Sequence, residues 1–159
     1  KFVIGRMGGF NTFDIDFAKN VVRRILDERE DIVFLFANTE KFVDHPRAIF
    51  MPAFFGQQEK SNYINACDAM LHARTLGESF GLSICEFLFH NKPVLAWEGG
   101  YDRNHYELLR KHDLIYSNEE DLYKKILALR DLCGKNYRSI VDGFGPYNVI
   151  KKFEAVYLL

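Results

Sequence analysis

The sequence predicts an α/β fold of Rossmann-like, three-layer α/β/α type, with a mainly parallel sheet of six strands between two layers of helices. Three observations predict it. Short, continuously apolar runs such as Ile32–Phe36 and Val94–Trp97 lack polar alternation, as strands do when both faces are covered. Segments with apolar residues at helical spacing lie between those runs, and strand–helix alternation implies parallel pairing. A chain of 159 residues with 48% apolar composition is long enough for one domain with a sizeable core.

In chain order, Phe2-Val3-Ile4-Gly5 reads as the first strand, stopping at a glycine-rich loop, Gly5-Arg6-Met7-Gly8-Gly9. Asp14 to Arg29 reads as a helix with Asp14 as N-cap and Ile15, Ala18, Val22, Ile25 and Leu26 as its apolar stripe. Ile32–Phe36 is the second strand, and Ala48–Met51 is the third, ended by Pro52. Gln58 to Cys67 is a short helix with Tyr63, Ile64 and Cys67 inward. Ala69–Ala73 is the fourth strand, leading through Arg74-Thr75-Leu76 into a turn at Gly77. A helix then opens near Gly81, with Leu82, Cys85, Leu88 and Phe89 on its apolar face. Asn91-Lys92-Pro93 ends it, because proline removes a donor and restricts the preceding residue.

Val94–Trp97 is the fifth strand, and Leu114–Tyr116 is the sixth, after a helix near His105 to Lys111. Glu119 to Leu132 is a helix with Leu122, Ile126 and Leu129 inward. Asn136 to Leu159 is largely helical, with a break expected at Gly143-Phe144-Gly145-Pro146. No internal repeat, low-complexity tract or linker divides the chain.

A net charge of -1 gives no electrostatic case for a nucleic-acid partner. The three cysteines, Cys67, Cys85 and Cys133, show no metal-binding spacing and point to a reducing compartment. No metal site is expected. No apolar run reaches bilayer length. The first residues read as a strand rather than a leader, so further chain is expected before Lys1; the setting expected is cytoplasmic, with any membrane association made through that further part. No Ser/His/Asp order or HExxH motif is present. His72, at a strand end, reads as a hydrogen-bonded structural residue, and His105 as a helix-start residue.

Chemistry concentrates at Gly77-Glu78-Ser79-Phe80-Gly81-Leu82-Ser83-Ile84-Cys85-Glu86. Two carboxylates, Glu78 and Glu86, flank a helix start whose N–H groups, from Phe80 to Ser83, favour an anion. In open parallel sheets ligands bind beyond the carboxyl ends of the strands. The loops after Gly5, at Pro52 and at Glu78 therefore share one rim.

The Glu-x7-Glu spacing, with Ser79-Phe80-Gly81-Leu82 inside it and Asn91-Lys92-Pro93-Val94 after it, resembles the signature of family-4 glycosyltransferases. That signature belongs to the C-terminal, nucleotide-sugar-binding half of the two-domain GT-B fold. The resemblance implies that Glu78 contacts donor-sugar hydroxyls and Glu86 the ribose hydroxyls. The amides of Phe80, Gly81, Leu82 and Ser83, beside Ser79, would hold the pyrophosphate or sugar. Arg6 would contact the pyrophosphate. The family's lysine a few residues further on is missing, leaving Gly8 and Gly9, as a backbone nest, or Arg74 to take part of its duty. Pro52, Ala53 and Phe54 would pack on the base. The loop carrying Asp102, Arg103 and His105 would face the donor cleft.

The resemblance covers nearly the whole chain. It implies a retaining hexosyl transfer from a nucleotide-diphosphate sugar to an acceptor hydroxyl on a glycan, lipid or protein. No cofactor is implied beyond the donor, and no obligatory metal. Residues 1–159 would form the donor domain, with the enzyme's own N-terminal acceptor domain, absent from this stretch, packed against Tyr147–Tyr157. This half alone would bind nucleotide without transferring sugar. The alternative is a non-catalytic nucleotide-sugar-binding module or subunit. A flavodoxin-like regulatory domain is a third reading, but Asp14, Asp31 and Asp44 do not form the acidic cluster it needs.

Overall fold

The computed structural model describes residues 1–158. Six strands form one wholly parallel sheet: β1 (Phe2–Met7), β2 (Ile32–Ala37), β3 (Ala48–Met51), β4 (Ala69–His72), β6 (Val94–Trp97) and β8 (Ile115–Tyr116), in the order β3-β2-β1-β4-β6-β8. The short strands β5 (Gly77–Glu78) and β7 (Asp102–Arg103) pair with each other apart from the main sheet. The strand order reverses at β1, whose neighbours are β2 and β4, with Gly5 opposite both Leu35 and Met70.

Helices cover both faces. On one, α1 (Asp16–Glu28) and α5 (Glu119–Ala128) pack Val22, Ile25, Leu122 and Ile126 against Phe34, Leu71 and Leu95. On the other, α2 (Gln57–Ala66), α3 (Leu82–Phe89) and α4 (Asn104–Leu109) pack Ile64, Ile84, Phe87 and Leu109 against Met70, Val94 and Ala96. Adjacent strand residues thus enter opposite cores, which is why β4 and β6 are almost continuously apolar. The helix α6 (Pro146–Tyr157) follows two short 3-10 turns and buries none of its residues. No helix among the described residues is long and apolar enough to cross a membrane.

Several expected boundaries move. The first strand runs through Gly5 to Met7. A side chain at Gly5 would meet Cys67 Sγ at 2.5 Å, so the glycine serves helix–sheet packing, not a turn. The helix α1 starts at Asp16 with Ile15 at its N-cap; Asp14 Oδ1 instead accepts from Thr75 N–H at 2.7 Å, tying the loop after β1 to the loop after β4. The inward face of α3 is Ile84, Phe87 and Leu88, while Leu82 is 69% and Phe89 50% exposed. The long C-terminal helix is shorter than expected: residues 138–144 make 3-10 turns and only Pro146–Tyr157 is α-helical, while Leu159 lies outside the described residues.

Candidate functional site: a cleft at the strand-order switch

A cavity of about 550 Å³ opens at the carboxyl ends of β1 and β4, where open α/β sheets place ligands. Gly8, Gly9, Ala53, Phe54, Lys60, Arg74, Glu78 and the stretch from Ser79 to Ser83 line it, with Glu86. The sequence motif and both expected loops therefore converge on one cleft.

The helix start is built by Gly81, whose φ of +82° sets the N-cap of α3 in the left-handed region, where glycine carries no Cβ penalty. The first N–H groups of α3 have no acceptor within the helix and open toward the cleft. No side chain caps them. A ligand anion would complete that helix end and meet the positive end of its dipole.

Glu78 is held from two sides. His72 Nε2 lies 2.9 Å from Oε1, and Arg74 donates to Oε2 at 3.2 Å. Burial pushes this carboxyl up, but the hydrogen bond and charge from His72, with those from Arg74, bring it below the ordinary carboxylate value. His72 therefore fixes a cleft residue, in keeping with its structural reading. Glu86, one turn into α3, accepts from Lys60 Nζ at 2.7 Å. Each of the two cleft carboxylates has its own cation.

Arg6 does not reach the cleft. It is 4% exposed, and its guanidinium donates to Asn38 O (2.9 Å), Thr39 Oγ1 (2.7 Å), Gly9 O (2.8 Å) and Thr12 Oγ1 (2.7 Å), with Ala37 O at 3.4 Å. Burial pulls it down to about 10, so it stays charged at neutral pH. Because β1 continues past Gly5, Arg6 is a strand residue that knots the loop after β1 to the loop after β2. In this structure the Arg6 guanidinium serves the framework of the two loops and does not line the cleft where the phosphate was expected. Gly8 serves the knot, since a Cβ there would sit 2.9 Å from the Arg6 guanidinium. Neither Gly8 nor Gly9 has a positive φ, so the pair lines the cleft without the left-handed residue of a backbone nest.

Ala53 and Phe54 line the cleft, and Phe54 lies against Tyr63 with ring centroids 5.1 Å apart. Pro52 lines a separate hollow beside Leu35 and Met51. Asp102 and Arg103 are exposed on β7. His105 is buried: Nε2 faces Trp97 O at 2.8 Å, and Nδ1 accepts from Glu78 N–H at 3.3 Å. It supports the Glu78 turn from behind and does not enter the cleft.

Those partners require a neutral imidazole, protonated at Nε2 only. Burial accordingly holds His105 below the ordinary histidine value, with the Trp97 carbonyl opposing. The unfolded chain then takes up this proton first as pH falls, so the stability involved is present above the ordinary histidine range and lost below it. Denaturant titrations at about pH 7.5 and about pH 5.5 should show less stability at the lower value, and a smaller difference for His105→Gln. An equal difference in both proteins would remove His105 as the cause.

Lys60 is the cleft residue that sequence reading missed. It falls in line with Tyr63, Ile64 and Cys67 at helical spacing, the inward face expected for α2, and so points at the rim where that helix begins. Among the described residues no three His, Cys, Asp or Glu side chains group as a metal site.

No protein-family model and no curated protein matches this chain. Solved structures do. HepE from Anabaena in complex with UDP-glucose is similar over 100% of this chain and 49% of its own, with a TM-score of 0.77 at 16% identity. A TarM structure from S. aureus, with UDP among its ligands, covers 96% of this chain and 34% of its own, with a TM-score of 0.76 at 15% identity. The C-terminal domain of a glycosyl transferase group 1 family protein from Francisella tularensis covers 96% and 86%, with a TM-score of 0.64 at 17% identity. The chain spans about half the length of the HepE structures. At these identities the likeness is one of fold: the Rossmann-like α/β/α arrangement of GT-B glycosyltransferases.

Proposed function

We propose that the chain is the nucleotide-sugar-binding domain of a retaining family-4 GT-B glycosyltransferase of hexosyl-transferring type. One observation carries the reading: Glu78 and Glu86 flank the uncapped N-terminus of α3 within a single cleft at the strand-order switch. Carboxylates accept hydrogen bonds from sugar hydroxyls, and free amides receive an anion. A nucleoside diphosphate sugar needs both within one short span.

In this reading Glu86 takes the ribose hydroxyls and Glu78 those of the donor sugar. The amides from Phe80 to Ser83 take the diphosphate and stabilise its growing charge as it leaves. Ala53 and Phe54 pack on the base. HepE and TarM structures holding UDP make UDP the first nucleotide to try. A glycan, lipid or protein acceptor would be held by a further, N-terminal domain. The bare α6, with Tyr147, Ile150, Phe153 and Tyr157 exposed, offers that domain a surface. A reducing, cytoplasmic setting fits the three free cysteines. Residues 1–159 alone should bind nucleotide without transferring sugar, because catalysis needs the acceptor held at the anomeric carbon.

Calorimetry with UDP tests the reading. Glu86→Ala should weaken binding by about 1–3 kcal/mol, the cost of removing a charged hydrogen-bond partner. The melting temperature of the free protein should hardly move, since the Lys60–Glu86 pair is partly exposed and such pairs contribute little. Failure of the parent protein to bind UDP, GDP or ADP would sink the proposal.

A further inference from the structure

We infer that Lys60 is a positioning residue for ribose recognition: it holds one oxygen of Glu86 and so aims the carboxylate at the paired hydroxyls of the nucleotide. This rests on the nucleotide-binding reading above and adds a residue from a different helix to it.

The geometry is direct. Lys60 Nζ lies 2.7 Å from Glu86 Oε1, the side chains are 26% and 31% exposed, and both residues line the cleft. No other hydrogen bond reaches the Glu86 carboxylate among the described residues. Without Lys60, Glu86 would be a three-torsion side chain free to sample the cleft mouth. With it, Oε2 and the second lone pair of Oε1 stay open to donors. Two neighbouring ribose hydroxyls are two such donors.

Lys60 is itself held firmly. Its backbone N–H bonds Gly56 O at 3.0 Å. One turn further along α2, the Tyr63 hydroxyl donates to Leu35 O at 2.7 Å and accepts from Arg6 N–H at 3.0 Å. The lysine thus projects from a helix bolted to the sheet. The pair also keeps Glu86 from presenting an unbalanced negative charge beside a diphosphate.

A competing role is direct contact of Lys60 with phosphate. The two differ in what they depend on. A residue acting through Glu86 matters only while Glu86 and the ribose hydroxyls are both present; a phosphate contact matters regardless of either.

The test is a double-mutant cycle by calorimetry, using UDP and its 2′,3′-dideoxy analogue as probes. Lys60→Met should weaken UDP about tenfold in the parent, and less than about twofold in Glu86→Gln. The dideoxy analogue should lose less than about twofold, and Lys60→Arg should recover part of the affinity. Melting curves should show all variants folded. Equal losses in both backgrounds, or for both probes, would overturn the proposal in favour of phosphate contact. Unchanged UDP affinity in Lys60→Met would overturn it while leaving nucleotide binding intact. No UDP binding by the parent would instead strike the underlying reading.

Discussion

Arg6→Ala is expected to destabilise the protein by about 1.5–3 kcal/mol or more, the range for losing hydrogen bonds made by a charged group. The guanidinium joins two loops through Gly9, Thr12, Asn38 and Thr39. Truncation leaves the Asn38 carbonyl short of a donor, at a cost of about 1–3 kcal/mol when buried, while the Gly9 carbonyl keeps the Thr12 N–H and hydroxyl. Arg6→Lys should recover little, because one ammonium cannot reproduce the planar fork that spans both loops. Chemical denaturation measures the loss. Uridine and UDP should then lose affinity together, since the cleft wall moves but no phosphate contact is deleted. A stable Arg6→Ala protein that had lost UDP but kept uridine would return Arg6 to the phosphate.

Gly77→Ala is the second large effect. Gly77 has a φ of +73°, and an added Cβ would lie 2.0 Å from Asp102 O and 3.0 Å from His105 Cε1. The left-handed backbone alone costs a non-glycine residue about 1–2 kcal/mol. The clash with backbone adds more, because β5 and β7 must separate and carry Glu78 with them. The expected loss is about 3 kcal/mol or more, with nucleotide affinity falling alongside. Gly134→Ala is the control: its φ is +83°, but nothing lies within 4 Å, so only the backbone penalty of about 1 kcal/mol remains. Equal destabilisation by the two substitutions would show that the β5–β7 contact does not matter.

The strands were readable because both their faces are covered, so Ile32–Phe36 and Val94–Trp97 are continuously apolar. The placement of Glu78, Gly81 and Glu86 about one helix start was readable from their spacing. Arg6 was read as a loop residue because Gly5 looked like a strand end; only the closeness of Cys67 reveals a packing glycine. The α3 face was misassigned because that helix is apolar nearly all round. Ile84 and Phe87 go inward, while Leu82 and Phe89 line a second groove of about 750 Å³ beside the C-terminal turns. Lys60 was missed because a cation on an otherwise inward helical row looks like solvated surface until its partner on another helix is known. The Arg6 knot depends on two loops meeting in space, which no local pattern announces.

The strand order also constrains how the chain is made. A parallel sheet contains no hairpin, so every strand pair closes a long loop before it is rewarded. β1 leaves the ribosome well before its second neighbour, β4, which begins only at Ala69, and the edge strand β8 begins at Ile115. During synthesis β1 and β2 can pair while one long side of β1 still exposes unpaired amides and the apolar residues Val3 and Ile4. The nascent domain thus passes through an interval in which its future centre is a sticky edge. Slowing translation between β2 and β4 should lengthen that interval and favour aggregation, whereas slowing it after β8 should have little effect.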